Sequence, residues 1–161
     1  DGDSSTMAFL DLSAAFDTVD KQILLRRLST SFGIHGSALE WLDSYLDNRT
    51  EFVLFNGMQS PMRTVRYGVP QGSVLGPLLF VLYTADLQHI ARQHGIMSHY
   101  YADDSQLYVF SKPTEAGSAE SQLLICLNNI AQWMQSNRLS LNPAKTQFMR
   151  CATPRRLQQP S

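Results

Sequence analysis

Asp103 and Asp104 stand side by side after Tyr101 and Ala102, with aromatic or apolar residues close on both sides. Consecutive side chains on a regular strand point to opposite faces, so the pair can serve one site only where the chain turns between them. A tight hairpin with acids at its tip is therefore expected. Paired carboxylates repel each other at neutral pH unless a proton or cation intervenes, and oxygen-only ligands favour a hard cation such as Mg²⁺. Metal-dependent phosphate chemistry is the first hypothesis, and a solvated Asp-Asp turn is the plain alternative for an isolated pair. Asp11 ends another short apolar segment, where an unpaired carboxylate is unfavourable. Two strands bearing these acids at adjacent ends of one sheet would set oxygens around two Mg²⁺ ions roughly 3.5 to 4 Å apart. One ion would activate an attacking oxygen; the other would hold phosphates and neutralise a leaving group. Judged alone, Asp11 reads equally as a helix N-cap or a strand-end ion pair.

The elements that must position these acids follow from periodicity. Residues 6–12 are a short apolar segment delivering Asp11 at its end, and residues 20–32 carry Ile23, Leu24, Leu28 and Phe32 at helical spacing before a stop at Gly33. Ser37 and Glu40 form a capping box ahead of a second helix with Leu39, Trp41, Leu42, Tyr45 and Leu46. Residues 51–56 and 62–67 are rich in β-formers and read as a β-pair. A loop at 68–73 leads into one helix, with Pro77 in its first turn, running to about His94 and ended by Gly95. Residues 96–102 and 106–110 flank the acids as strands. A long helix over 118–137 bears Leu123, Leu127, Ile130 and Met134, and 145–151 is a last short strand. Strands and helices mix without strict βαβ alternation, which favours an α+β fold, helices layered on a mostly antiparallel sheet.

The 161 residues, 43% apolar, suit one globular domain over 1–152, followed by a polar, proline-bearing tail at 153–161 that reads as the start of a linker. A net charge of -1 lacks the basic field of a self-sufficient nucleic-acid binder. Cys126 and Cys151 have no metal-ligand spacing and read as reduced thiols of an intracellular protein; the four histidines read as structural or solvated, and Trp41 and Trp133 as helical core residues. The longest apolar run is too short to span a bilayer, so no membrane partner is expected. The first residue is Asp1 rather than Met, so the chain reads as a piece of something longer.

Four stretches in order, Asp11-Leu12-Ser13-Ala14-Ala15-Phe16-Asp17, Gly68-Val69-Pro70-Gln71-Gly72-Ser73, Tyr101-Ala102-Asp103-Asp104 and Asn142-Pro143-Ala144-Lys145-Thr146, resemble successive motifs of reverse transcriptases of non-LTR (LINE-type) retrotransposons. The resemblance implies an RNA-directed DNA polymerase palm with a ferredoxin-like core, in which the 3′-hydroxyl of a DNA primer on an RNA template attacks a dNTP. It makes Asp11 and Asp103 the principal ligands of two Mg²⁺ ions, with Mn²⁺ as a substitute, and Asp104 the weaker acid beside them. Phe16 becomes the steric gate against a 2′-hydroxyl. Ser13, Ala14 and Ala15 would offer backbone amides to the triphosphate, Gln71 would touch the nucleotide, and Gly72 would let the template approach. Tyr101 would lie near the primer end, or simply pack, and Lys145 near the departing pyrophosphate as a general acid. Without the resemblance, Phe16 reads as a core aromatic, 68–73 as a connecting loop that is not a Walker loop, and Lys145 as a surface lysine.

The resemblance covers residues 11–146 and implies parts that this chain does not supply: basic fingers, a primer grip and thumb, which the tail at 153–161 would approach, and an endonuclease. It also implies action in the nucleus, at a chromosomal target, or residence in the cytoplasm as a ribonucleoprotein. Two other classes stay open: a two-metal phosphohydrolase or nuclease using the same aspartates, and a non-catalytic remnant that binds nucleic acid or a partner.

Overall fold

Every second residue of the first strand is buried, the period-two signature of a sheet with one covered face. The structure is a computed structural model in which residues 4–151 are described; the tail expected at 153–161 lies outside them. In chain order the elements are β1 (Ser4–Leu10), α1 (Lys21–Phe32), α2 (Gly36–Leu46), β2 (Thr50–Glu51), β3 (Leu54–Phe55), β4 (Met58–Gln59), β5 (Arg63–Thr64), α3 (Leu75–Tyr83), α4 (Asp86–Gln93), β6 (Met97–Tyr101), β7 (Asp104–Ser111), α5 (Ala116–Ser136) and β8 (Gln147–Cys151). They fall into two compact units: Ala14–Tyr83, and the described residues on either side of it.

The flanking unit is built on a four-stranded sheet of order β6-β7-β1-β8, antiparallel throughout. One face is covered by α4 and α5. Ser4, Thr6 and Ala8 point into that layer, and their small side chains let α5 lie close to β1. Leu10, Leu87, Ile96, Leu107, Leu123, Ile130 and Met134 are among the large side chains buried in this unit. At α5 the buried stripe includes Cys126, while Leu127 is half-buried. Burial pushes the Cys126 thiol up to about 11, whereas Cys151 is exposed. Iodoacetamide at pH 8 is expected to label native Cys151 at least roughly ten-fold faster than Cys126, because the thiolate is the reactive species. Equal rates by mass spectrometry would show that the packed face of α5 is open.

In the other unit, Asp20 caps α1 by accepting from the amides of Gln22 and Ile23, and Gly33, at φ 68, ends it. Leu24 and Leu28 of α1 are fully buried, as are Phe80 and Tyr83 of α3, and the two helices pack together. Lys21 binds Asp43 at 2.8 Å and Asp47 at 2.9 Å; burial works against its ammonium, but the two carboxylates outweigh it and raise the pKa, while Lys21 lowers that of Asp47. β2 pairs with β5, and β3 with β4, as two ladders of two residues each.

Several expectations need correction. Ser37 does not cap α2; the helix starts at Gly36 after His35, so the serine already lies inside its first turn. The single helix read through Pro77 to His94 is two helices, α3 in one unit and α4 in the other, each following its own packing partners. Trp41 is 57% exposed and stacks on Tyr45 at 5.5 Å instead of entering the core. Of the histidines, His35 bonds Ser29, His89 bonds Gln93 and His94 bonds Asn129, in keeping with structural roles. Among the described residues, no helix is long and apolar enough to cross a membrane.

Candidate active site

Antiparallel pairing decides what meets at the end of β1. Its last residue, Leu10, lies opposite Ser105 near the start of β7, and Phe9 lies opposite Gln147 at the start of β8. One residue further, Asp11 and Asp104 are the next partners in register. Ser105 and Leu107 are buried against the helices, so Asp104 belongs to the other, open face, which Asp11 shares with Met7 and Phe9. The β6–β7 connection is as tight as expected: Tyr101 pairs with Asp104, leaving Ala102 and half-buried Asp103 as a two-residue turn. Ala102 is held at φ 52, in the left-handed region that a residue with a Cβ enters at a cost of about 1 kcal/mol. Tyr101, 77% exposed, does not pack.

The segment before β8 folds back onto the same place. Asn142 donates its amide to the Asp11 carbonyl at 2.9 Å, and its side-chain oxygen accepts from Ala144 in a local turn. That turn presents the Lys145 ammonium 3.5 Å from Asp11 Oδ2. Oδ2 itself is buried without a hydrogen bond, so a largely exposed lysine is what compensates it. The Ser13 amide donates to the Ser140 carbonyl at 2.8 Å; it is not available to a phosphate, and what Ser13 exposes is its side chain.

Within Ala14–Tyr83, a cleft of about 330 Å³ is lined by Phe16, Pro70, Gln71, Gly72, Ser73 and Pro77, among others. Phe16 is half-buried, with its ring 5.0 Å from that of Phe80, so it is both a packed aromatic and a cleft wall. The loop opposite it is pinned. Gly68 donates to Val19 at 2.7 Å, Val69 donates to Phe16 at 2.9 Å, and Arg49 donates to the carbonyls of Tyr67 and Gly68. Ser73 Oγ accepts from Gly76 at 3.0 Å, satisfying an amide at the start of α3. Gly72, at φ 75, has open space where a Cβ would be. Gln71 Nε2 donates to Asp17 Oδ1 at 2.7 Å.

The profile of the family described as "Reverse transcriptase (RNA-dependent DNA polymerase)" matches residues 1–159. This chain belongs to the reverse transcriptase family. The probable RNA-directed DNA polymerase from transposon BS of Drosophila melanogaster is 36% identical over 143 residues, which are 86% of this chain and 15% of that protein. The RNA-directed DNA polymerase from mobile element jockey of the same organism is 32% identical over the same shares. The chain thus spans about 15% of the length of these relatives. Apo telomerase from Candida tropicalis, truncated from the C-terminal domain, superposes with a TM-score of 0.68 at 15% identity over 92% of this chain and 31% of that one. Telomerase from Candida albicans, in complex with the TWJ fragment of telomeric RNA, gives 0.67 at 15% identity over 90% and 28%. At that identity the likeness concerns the fold, and it agrees with the α+β palm architecture that the motifs imply.

By residue type and order, Asp11, Asp103, Asp104 and Lys145 belong to one chemistry. In this reverse transcriptase segment they lie at one end of one sheet, just after β1, at and beside the β6–β7 turn and just before β8. The donor set suits a hard divalent cation: carboxylate oxygens, one of them buried and lacking a hydrogen bond. Among the described residues, no three His, Cys, Asp or Glu side chains are gathered as a ready-made metal cluster. Three residues escaped the sequence reading. Arg49 gave no local signal, Gly68 looked like any loop glycine, and Asp17 stood in a recognised motif without a task. Only the fold brings Asp17 to Gln71, 54 positions away.

Proposed function

We propose that the intact polypeptide carrying this chain is an RNA-directed DNA polymerase of a non-LTR retrotransposon, joining a dNTP to the 3′-hydroxyl of a DNA primer on an RNA template. The observation that supports it best is the placement of Asp11, the Asp103-Asp104 turn and Lys145 at one end of the sheet, in a chain of the reverse transcriptase family. Asp11, Asp103 and Asp104 would hold two Mg²⁺ ions, with Mn²⁺ as a substitute, which when bound supply activation of the attacking oxygen and neutralisation of the phosphates. Lys145 brings a positive charge to the same end and is suited to neutralise or protonate a departing pyrophosphate. Phe16 forms a wall braced by Phe80, so a sugar lying on it meets a surface that cannot yield. Ala14, Ala15, Gln71 and Gly72 are the remaining nucleotide contacts in this reading, with Gly72 and exposed Tyr101 meeting template and primer. Copying at a chromosomal target puts the reaction in the nucleus.

Incubating the intact polypeptide with Mg²⁺, a DNA primer on an RNA template and dNTPs should extend the primer by single nucleotides. Hydrolysis of the strands or nucleotides without extension would favour a phosphohydrolase or nuclease. Phe16→Val should lower discrimination against ribonucleotides by on the order of 10- to 100-fold, the range one steric group in a pocket controls. An unchanged dNTP-to-rNTP ratio of kcat/KM would remove Phe16 from the gate.

A further inference from the structure

We propose that Asp17 is a positioning residue for Gln71, holding its amide in the single orientation the cleft needs; this rests on the polymerase reading above. The carboxylate can only accept a hydrogen bond, so the 2.7 Å contact identifies the Gln71 atom as the nitrogen and removes the ambiguity of the amide. One amide proton goes to Asp17, leaving Oε1 and a second proton for a ligand. An exposed glutamine would otherwise sample several rotamers and both flips of its amide. The geometry is imposed by the backbone. A Cβ on Gly68 would stand 2.8 Å from Asp17 Cα, and the Gly68-to-Val19 and Val69-to-Phe16 bonds grip the residues on both sides of Asp17. Asp17 and Gln71 are therefore carried on two segments locked together, and the same lock sets Phe16 and Gln71 in one cleft.

The consequence is a pre-ordered contact to the incoming nucleotide, with no part for Asp17 in the chemical step. Single-nucleotide incorporation is to be measured with the intact polypeptide, rates being normalised to titrated active sites. Asp17→Ala should raise KM for the dNTP about 3- to 10-fold, the equivalent of re-ordering one rotamer-rich side chain on binding, with kcat within about two-fold. Asp17→Asn keeps an acceptor oxygen in place and should restore KM to within about two-fold of the unsubstituted protein. Gln71→Ala should raise KM, and adding Asp17→Ala to it should do nothing more, because the partner is already gone. A normal KM in Asp17→Ala, full additivity in the double variant, or a loss confined to active fraction and melting temperature would each overturn the proposal. Absence of extension by the unsubstituted polypeptide would instead overturn the polymerase reading, and this inference with it.

Discussion

Asp11→Asn is expected to lower primer extension by the intact polypeptide on the order of 10³-fold, while its melting temperature stays the same or rises slightly. The first half follows from charge. Asp11 Oδ2 is buried without a hydrogen bond, with only the Lys145 ammonium at 3.5 Å to offset it, an arrangement that suits an incoming cation. Removing one electrostatic stabiliser from a reaction centre costs up to about 10³ in rate. The second half follows from the neighbourhood. Replacing the carboxylate removes a charge whose compensation is Lys145 at 3.5 Å, and Lys145, 68% exposed, returns to water without penalty. Extension rate and thermal melting, measured on the same preparation, check both halves. Extension within ten-fold of the unsubstituted protein would remove Asp11 from the site; a large drop in melting temperature would make it a structural residue.

Gly68→Ala is expected to destabilise the Ala14–Tyr83 unit by roughly 2 to 5 kcal/mol. An alanine held at φ 86 is strained by about 1 to 2 kcal/mol. Its Cβ would also press on Asp17 Cα at 2.8 Å and the Phe16 carbonyl at 2.9 Å, backbone atoms that cannot swing away, and such overpacking adds about 1 to 3 kcal/mol. Gly72→Ala is the control. It has a similar φ of 75 but open space around the added atom, so conformational strain is all it carries, about 1 to 2 kcal/mol. Urea titrations of the two variants should therefore differ, with the midpoint of Gly68→Ala far lower. Equal midpoints would mean that the loop is not clamped on residues 16 and 17.

What could be read ahead of the structure was what depends on neighbours in the chain. Asp20 and Gly33 bound α1 because capping is a matter of three or four residues, and a tight connection at the acids follows from their need of one site, although the chain turns one residue earlier than that reading, at Ala102. Ser37 and Glu40 have the right spacing for a capping box, yet the chain enters the helix one residue earlier, a choice that spacing does not encode. The break between α3 and α4 was hidden because an apolar run looks the same whether it packs as one helix or two. At the site, the acids and the lysine were recognisable by type and order, whereas the loss of the Ser13 amide to Ser140 and the capture of Gln71 by Asp17 depend on partners far along the chain. Left-handed alanines at 14 and 102 were equally unreadable, since glycine or asparagine is the ordinary occupant.

The small residues that β1 turns toward α5 also act as a check on assembly. A one-residue slip of β1 would carry Asp11 to the helix side and bring Met7 and Phe9 inward, into the room now left by Thr6 and Ala8. Methionine and phenylalanine are much larger than the buried threonine and alanine they would replace, so a misregistered chain would be overpacked under α5. Molecules with the acid on the wrong face would remain open to proteolysis, and those that survive would be the ones whose carboxylates are correctly placed.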